Sequence, residues 1–373
     1  MLLYTKCELE LLRDVDMVLF IEKGIRGGIS QCCSRYSEAN NKYMTNYDPN
    51  KPDKYLFYVD VNNLYGWAMS QPLPISNFKW VDTNIDVTGI SDDSLFGYIC
   101  EVDIEYPQYL HDLHKDFPFC SEHQIPPGSK LPKLMTTLSD KKNYIIHYRA
   151  LKQAIAYGLV VTKIHRVLEF KQSVWLKPYI DLNTELRTKA KTKFEQNHFK
   201  LKVNSIYGKT MENIRKHRIV KLTRQWEGRY GAKNLIACPK FHSRTIFDTD
   251  LMAIEMKKTE ILFNKPLYIG MSILDISKTC MYEFYYNYML PKLGMNCKIM
   301  YTDNLYKEIV CTDIHRFDTS SYAPNNRYNI PLCNKKIPGL MKDETSGTII
   351  THFVDLRSKM YSYKCEDNTV EPR

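Results

Sequence analysis

The sequence predicts an α+β chain of more than one subdomain, and three observations point there. At 373 residues the chain exceeds a single compact core. Residues 55–59 (YLFYV) and 98–104 (YICEVDI) read as strands, the second alternating apolar and polar side chains. Residues 273–290 (ILDISKTCMYEFYYNYML) read as a long amphipathic helix, with Pro291 and Gly294 behind it. Hydrophobic content of 44% with 25% charged residues describes a soluble globular protein. No apolar run approaches the ~20 residues of a membrane span, and residues 1–14 carry acids where a signal peptide would be apolar. The 11 cysteines contain no C-x-x-C pair, which argues against a zinc site and for a reducing, intracellular setting.

In chain order, residues 1–50 form a lead-in. Within it, 19–22 suit a short strand, and Gly24, Gly27 and Gly28 around Arg26 make a turn whose bare amides can approach a phosphate. Residues 46–54, rich in Asp, Asn and Pro, are a linker. The strand at 55–59 closes on Asp60; Asn62 and Asn63 offer N-cap chemistry, and a helix starts at Leu64 and stops before Pro72 and Pro74. The strand at 98–104 is expected to pair beside the Asp60 strand, and 111–133 is a loop in which His111 and His114 are surface residues. A helix over 141–157 ends at Gly158, and 159–170 are extended. Two helices follow, at 174–196 and 199–213, then strands at 218–224 and 251–263. Residues 297–303 form a strand, Asn304 turns, 305–311 return, and 351–363 are extended.

Two features carry chemistry. A carboxylate at the end of a rigid strand suits a divalent cation, because Mg²⁺ takes one or two protein carboxylates and fills its shell with phosphate oxygens; Asp60 is so placed, although capping a helix is the plainer role. Tyr65, one helical turn on, offers a flat wall. The net charge of +10 favours a polyanionic partner and is concentrated: between Glu185 and Lys221 stand eleven basic residues against three acidic ones. Lys200, Asn204, Tyr207 and Gly208 fall on one helical face, a combination that fits a nucleotide better than a hydrophobic neighbour.

Read together, the motifs resemble family B DNA polymerases. Asp60-Val61-Asn62-Asn63-Leu64-Tyr65 resembles D-x-x-S-L-Y-P, and Lys200 to Gly208 matches K-x-x-x-N-S-x-Y-G at every fixed position. Tyr301-Thr302-Asp303 begins Y-x-D-T-D-S, Lys359-Met360-Tyr361 matches K-x-Y, and Ile25-Arg26-Gly27-Gly28 resembles Y-x-G-G. All five occur in the family's order. FIEKGIRGGIS, NLYGWAMSQ, NSIYGKTMEN and LRSKMYSY are similar to the protein-primed branch, especially Maverick/Polinton transposon polymerases.

The resemblance implies a right-hand fold: lead-in 1–50, palm 51–150 and 224–320 with an antiparallel sheet, helical fingers 151–223, and a small thumb 321–373. It implies catalytic Asp60 and Asp303 which, with the Val61 carbonyl, hold two Mg²⁺ (or Mn²⁺) ions roughly 3.5–4 Å apart. Lys200, helped by Lys189 or Lys191, neutralises the triphosphate. Tyr65 excludes a 2′-hydroxyl, Asn204 and Tyr207 seat the nascent pair, and Gly208 leaves it room. Arg26, Gly27, Gly28, Lys359 and Tyr361 hold DNA. The implied partners are a DNA primer-template, dNTPs and a priming terminal protein, in the nucleus for a chromosomal element.

Asn63 replaces the usual serine and Gly66 the proline, and no room precedes residue 25 for the family's exonuclease domain. The third motif is two residues and one carboxylate short: Asp303 is the family's first aspartate read from Tyr301, and its second read back from Leu305. The alternative is therefore an inactive relic that only binds nucleic acid.

Overall fold

The computed structural model describes residues 1–294, 297–299, 311–357 and 359–372. Helix α1 (Val15–Gly24) stands where a strand was expected at 19–22. Asp14 caps it by accepting from the Asp16 amide at 2.8 Å, and Val18 and Ile21, one turn apart, face inward. The five-residue apolar run at 17–21 is ambiguous between the two states, and here tertiary packing selects the helix. After β1 (Tyr36–Glu38) come the short strand β2 (Val59–Val61) and helix α2 (Leu64–Met69).

Strands β3 (Leu73–Val81), β4 (Phe96–Glu105) and β5 (Lys141–His147), helix α3 (Tyr148–Ala156) and the long strand β6 (Val160–Ser173) make a scaffold. Its four-stranded antiparallel sheet has the order β3-β6-β4-β5. Two expectations are corrected here. β4 pairs with β5 and β6 rather than beside the Asp60 strand, and the first half of the expected 141–157 helix is strand β5. Tyr144 to His147 are all buried against the sheet, and the helix starts only where the His147 side chain caps the Arg149 amide.

Helices α4 (Lys177–Lys189) and α5 (Lys193–Thr210) pack against each other. The second begins earlier than expected because Thr192 and Glu195 form a capping box: Glu195 N donates to Thr192 Oγ1 at 3.2 Å, and Glu195 Oε2 accepts from Thr192 N at 3.2 Å. Strand β7 (Arg218–Thr223), helix α6 (Ala232–Ala237), and strands β8 (Phe241–Asp248) and β9 (Leu251–Lys257) form a separate three-stranded unit. Helix α7 (Leu267–Tyr282), wound wider through Glu283–Met289, lies under α2, α3 and α5.

Strands β10 (Phe317–Asp318) and β11 (Met341–Asp343) join β2 in a small mixed sheet, so the expected thumb segment supplies a partner to the Asp60 strand. Strands β12 (Ile350–Arg357), β13 (Met360–Cys365) and β14 (Val370–Pro372) form the last sheet, which β1 extends. The central core gathers Phe20, Met69, Leu73, Ile99, Ile145, Phe170 and Tyr268 from α1, α2, the scaffold sheet and α7. Burying each such side chain contributes roughly 1.5–3 kcal/mol, which anchors α2 and its preceding turn. Among the described residues no helix is long and apolar enough to cross a membrane.

Candidate active site

The period-2 geometry of β2 buries Val59 and Val61 and turns Asp60 to the opposite face. β11 runs antiparallel beside it with Lys342 directly opposite Asp60. Beyond the strand, Asn62 N donates to Leu340 O and Gly339 N to Asn62 O, each at 2.8 Å, so the turn is locked to the 334–340 loop. Asn63 takes a left-handed conformation (φ 45°). Its amide fills the space beside residue 66, where an added Cβ would meet Asn63 Nδ2 at 2.0 Å. The two departures from the family motif, Asn63 and Gly66, thus fit each other.

Asp60 keeps open surface toward the cleft, yet protein crowds its carboxylate. That desolvation is the largest cause of a pKa raised above the ordinary aspartate value. The Glu344 carboxylate raises it further, while the Val61 amide, Lys342 and Lys200 pull the other way. Glu344 escaped the sequence reading. Its one legible signal is the spacing in Lys342-Asp343-Glu344, which puts Lys342 and Glu344 on one face of an extended segment and Asp343 on the other. The Lys342 ammonium holds Glu344 at 2.7 Å. Asp343 is buried and accepts from Tyr322 Oη at 2.8 Å and from the backbone of Thr345 and Gly347. Asp303 lies outside the described residues.

Tyr65 on α2 and Tyr207 on α5, far apart in sequence, stack with ring centroids 4.6 Å apart at 27°. Burial pushes both phenols up, Tyr207 to about 12, so both stay neutral near pH 7. Gly28 and Ile29 come to the same place, lining with Asp60, Val61, Tyr65 and Lys278 a cavity of about 180 Å³. Lys200 and Asn204 are exposed on the Tyr207 helix, and nothing lies within 4 Å of a Cβ added at Gly208. Lys189 pairs with Glu185 one turn back, and Lys191 opens the connection into α5.

A family model described as DNA polymerase type B, organellar and viral, matches residues 16–289. The chain belongs to that family. Among solved structures, phi29 DNA polymerase in an orthorhombic crystal form is similar at a TM-score of 0.56 and 15% identity, covering 98% of this chain and 54% of that one. The phi29 polymerase complex with primer-template DNA and incoming nucleotides is similar at 0.54 and 17%, covering 97% and 52%. The chain therefore spans about half the length of these solved polymerases. No curated protein matches it by sequence. The fold is the α+β right-hand fold of the type B polymerases.

Within this polymerase fold, Arg26 departs from its expected place. Its side chain turns inward and stays 9% exposed. Nη1 donates to Ile145 O at 2.7 Å and the guanidinium lies 3.7 Å from the Tyr144 ring centroid. Donors committed to buried carbonyls present no face to a phosphate, so Arg26 fastens α1 to β5 instead. Lys359 occupies the β12–β13 turn with φ 61°. Tyr361 is buried, its hydroxyl 2.9 Å from that of Tyr58, which ties the last sheet to the segment entering β2.

Proposed function

We propose that this chain is a DNA-directed DNA polymerase, transferring nucleotidyl groups from deoxynucleoside triphosphates to a primer hydroxyl on a DNA template. The observation that carries the reading is a cleft lined by Asp60 and Tyr65, with Tyr207 of α5 stacked on Tyr65 and the Lys200 charge of the same helix acting on the Asp60 carboxylate. The likeness to phi29 polymerase, solved with primer-template DNA and nucleotides, supports these partners.

Lys200 neutralises charge developing on the triphosphate, with Lys189 and Lys191 behind it. Tyr207 and Asn204 seat the new base pair, Gly208 leaves it room, and Tyr65 walls off a 2′-hydroxyl. Gly27, Gly28 and Lys359 contact the strands, with Tyr361 holding the Lys359 turn in place. Residues 151–223 with their two helices act as fingers, 51–150 and 224–320 as palm, and 321–373 with the β12–β13–β14 sheet as thumb, β11 being lent from that last part to the Asp60 strand. By the same resemblance the primer is a protein hydroxyl and the chain descends from a transposon polymerase at work in the nucleus.

The donor set fits Mg²⁺ or Mn²⁺. Two mutually repelling carboxylates, Asp60 and Glu344, share one sheet face, and such ions need only one or two carboxylates besides phosphate oxygens. Among the described residues no group of three His, Cys, Asp or Glu could hold a metal; Asp303 is the further carboxylate this reading calls on. When bound, a pair of ions would acidify the primer hydroxyl and steady the departing pyrophosphate.

The single aspartate in Tyr301-Thr302-Asp303-Asn304-Leu305 favours a second reading, a relic that binds nucleic acid without synthesis. Extension of a primed template separates the two. Mg²⁺-dependent extension should fall by ~10²-fold or more in Asp60→Asn. Extension that survives this substitution would refute the Asp60 assignment, and no extension by the unaltered chain would leave the relic.

A further inference from the structure

On the scaffold sheet β6 outruns one of its two neighbours. β4 pairs with it from Val160 to Lys171. β3 pairs with it only from Val167 to Ser173 and stops at Val81. Over 160–166, therefore, β6 has no strand on its β3 side among the described residues. Alternate residues of such an edge turn their N–H and C=O groups outward. The stretch is open to solvent: Val160 is 45% exposed, and Thr162 and Lys163 are exposed beside it.

Two pockets flank this edge, one on each face of the sheet. On the α3 face, Ile85, Val87, Leu151, Ile155 and Ile164 line a cavity of about 290 Å³. On the α1 face, a cavity of about 300 Å³ lies among Trp80, Arg166 and Asp16. Packing fixes the two faces. Val87 and Leu151 belong to one core, against which Ile85, Ile155 and Ile164 pack, whereas Phe20 of α1 meets the Trp80 ring and the Arg166 guanidinium, each at 5.0 Å. A strand sends successive side chains to opposite faces, so one extended segment laid along 160–166 reaches both pockets in alternation. The rim is acidic, on a protein whose net charge is +10. Asp82 and Asp86 accept from the Asn84 and Thr88 amides of their own turns at 3.0 and 2.9 Å, and Asp16 stands in the first turn of α1. Arg166 is already held by Glu101 at 2.7 Å, which leaves Lys163 against three aspartates. Lys163 and two bulges in the β4 pairing keep the edge from joining strands indiscriminately.

We propose that the 160–166 edge of β6 takes an extended segment of a partner protein as an added strand, with apolar residues in the α3 pocket and basic residues on the acidic rim. Backbone hydrogen bonds supply the affinity and the pockets the sequence preference. The rim supplies the choice of partner, since its charge attracts a basic segment and repels nucleic acid. None of these residues lines the Asp60 cavity, so the surface stands apart from the polymerase reading.

The test follows the anisotropy of a fluorescein-labelled peptide of about eight residues, the length of an ordinary strand, alternating valine and arginine, against the full chain. Two further peptides carry N-methyl groups, one on every valine and one on every arginine. An added strand pairs along one side only, so one methylated set should lose affinity roughly tenfold or more, through several missing hydrogen bonds, while the other binds like the parent. A peptide with glutamate in place of arginine should not bind. On the protein side, Asp16→Asn, Asp82→Asn and Asp86→Asn combined should weaken the parent peptide roughly tenfold, the sum of a few exposed ion pairs; Asp112→Asn, on an exposed helix away from the edge, should change nothing. The peptide comparisons use the unaltered chain, so they report even if the triple variant melts early. No saturable binding, equal loss with both methylated sets or with neither, or equal binding of the glutamate peptide would overturn the proposal. Sedimentation of the chain alone checks the remaining occupant: a dimer that the triple variant dissolves would assign the edge to a second copy and overturn the partner.

Discussion

The carboxylates of the scaffold sheet and the Asp60 carboxylate of the small sheet are held in opposite ways. On the scaffold, Glu101 meets Arg166 at 2.7 Å, Glu169 meets Lys79 at 2.9 Å, and Asp103 meets His165 at 3.0 Å and Lys142 at 3.5 Å. The Asn143 amide and His165 hold the Asp103 carboxyl down at about 2. On the small sheet, Asp60 faces Glu344, and its pKa moves up. A fold can hold ionised groups in two states: satisfied, where they stabilise, or left wanting a ligand, where they cost stability until one arrives. The first sheet fills long strands and positions α2; the second, two or three residues per strand, presents the site.

The largest test of this contrast is the core that supports it. Arg26→Ala should lower stability by roughly 2 kcal/mol, since it strips buried carbonyls of a charged donor, read from the urea midpoint. Unchanged stability together with weakened DNA binding would restore Arg26 to the nucleic-acid surface. Next, Tyr207→Ala should cost about 1 kcal/mol through the lost ring pair and raise the nucleotide KM; a raised KM without any stability loss would mean that the stack is not formed in solution.

The finest test compares the two aspartates by pH. Asp103 has a folded pKa near 2, below its ordinary 3.8, so its stabilisation is complete above 3.8 and is lost as pH falls toward 2. Asp103→Asn should therefore melt lower than the unaltered chain near neutrality, with the gap closing in acid. Asp60 has its folded pKa above 3.8, so its ionisation erodes stability as pH rises through that value. Asp60→Asn should melt slightly higher near neutrality, and Glu344→Gln should bring the Asp60 titration, followed by NMR, down toward the ordinary range. Two shifts of the same sign in the melting comparison would dissolve the distinction between the sheets.

Much of the site was legible because it is local. The turning of Asp60 away from its buried neighbours, and Lys200, Asn204, Tyr207 and Gly208 along one helix, follow from periods of two and 3.6 residues, although the strand expected at 55–59 forms only as Val59–Val61, with Asp60 at its middle rather than its end. Thr192 and Glu195 marked the start of α5 three residues apart, although the helix was expected later. The five-residue apolar run in α1 was too short to declare its period, and the strand ending at His147 was hidden because tertiary pairing with β4 overrides its helical pattern.

By itself the amino-acid order determined the α+β class, the basic stretch, the Asp60 turn and the shared helical face of Lys200, Asn204, Tyr207 and Gly208, since each depends on neighbours within a few residues. Only tertiary structure decided that Lys342 and Glu344 stand beside Asp60, that Tyr65 stacks on Tyr207, and that Arg26 turns inward. Those contacts join segments separated by well over a hundred residues. Strand pairing and packing between such segments are chosen by which faces bury together, and no local period encodes that choice.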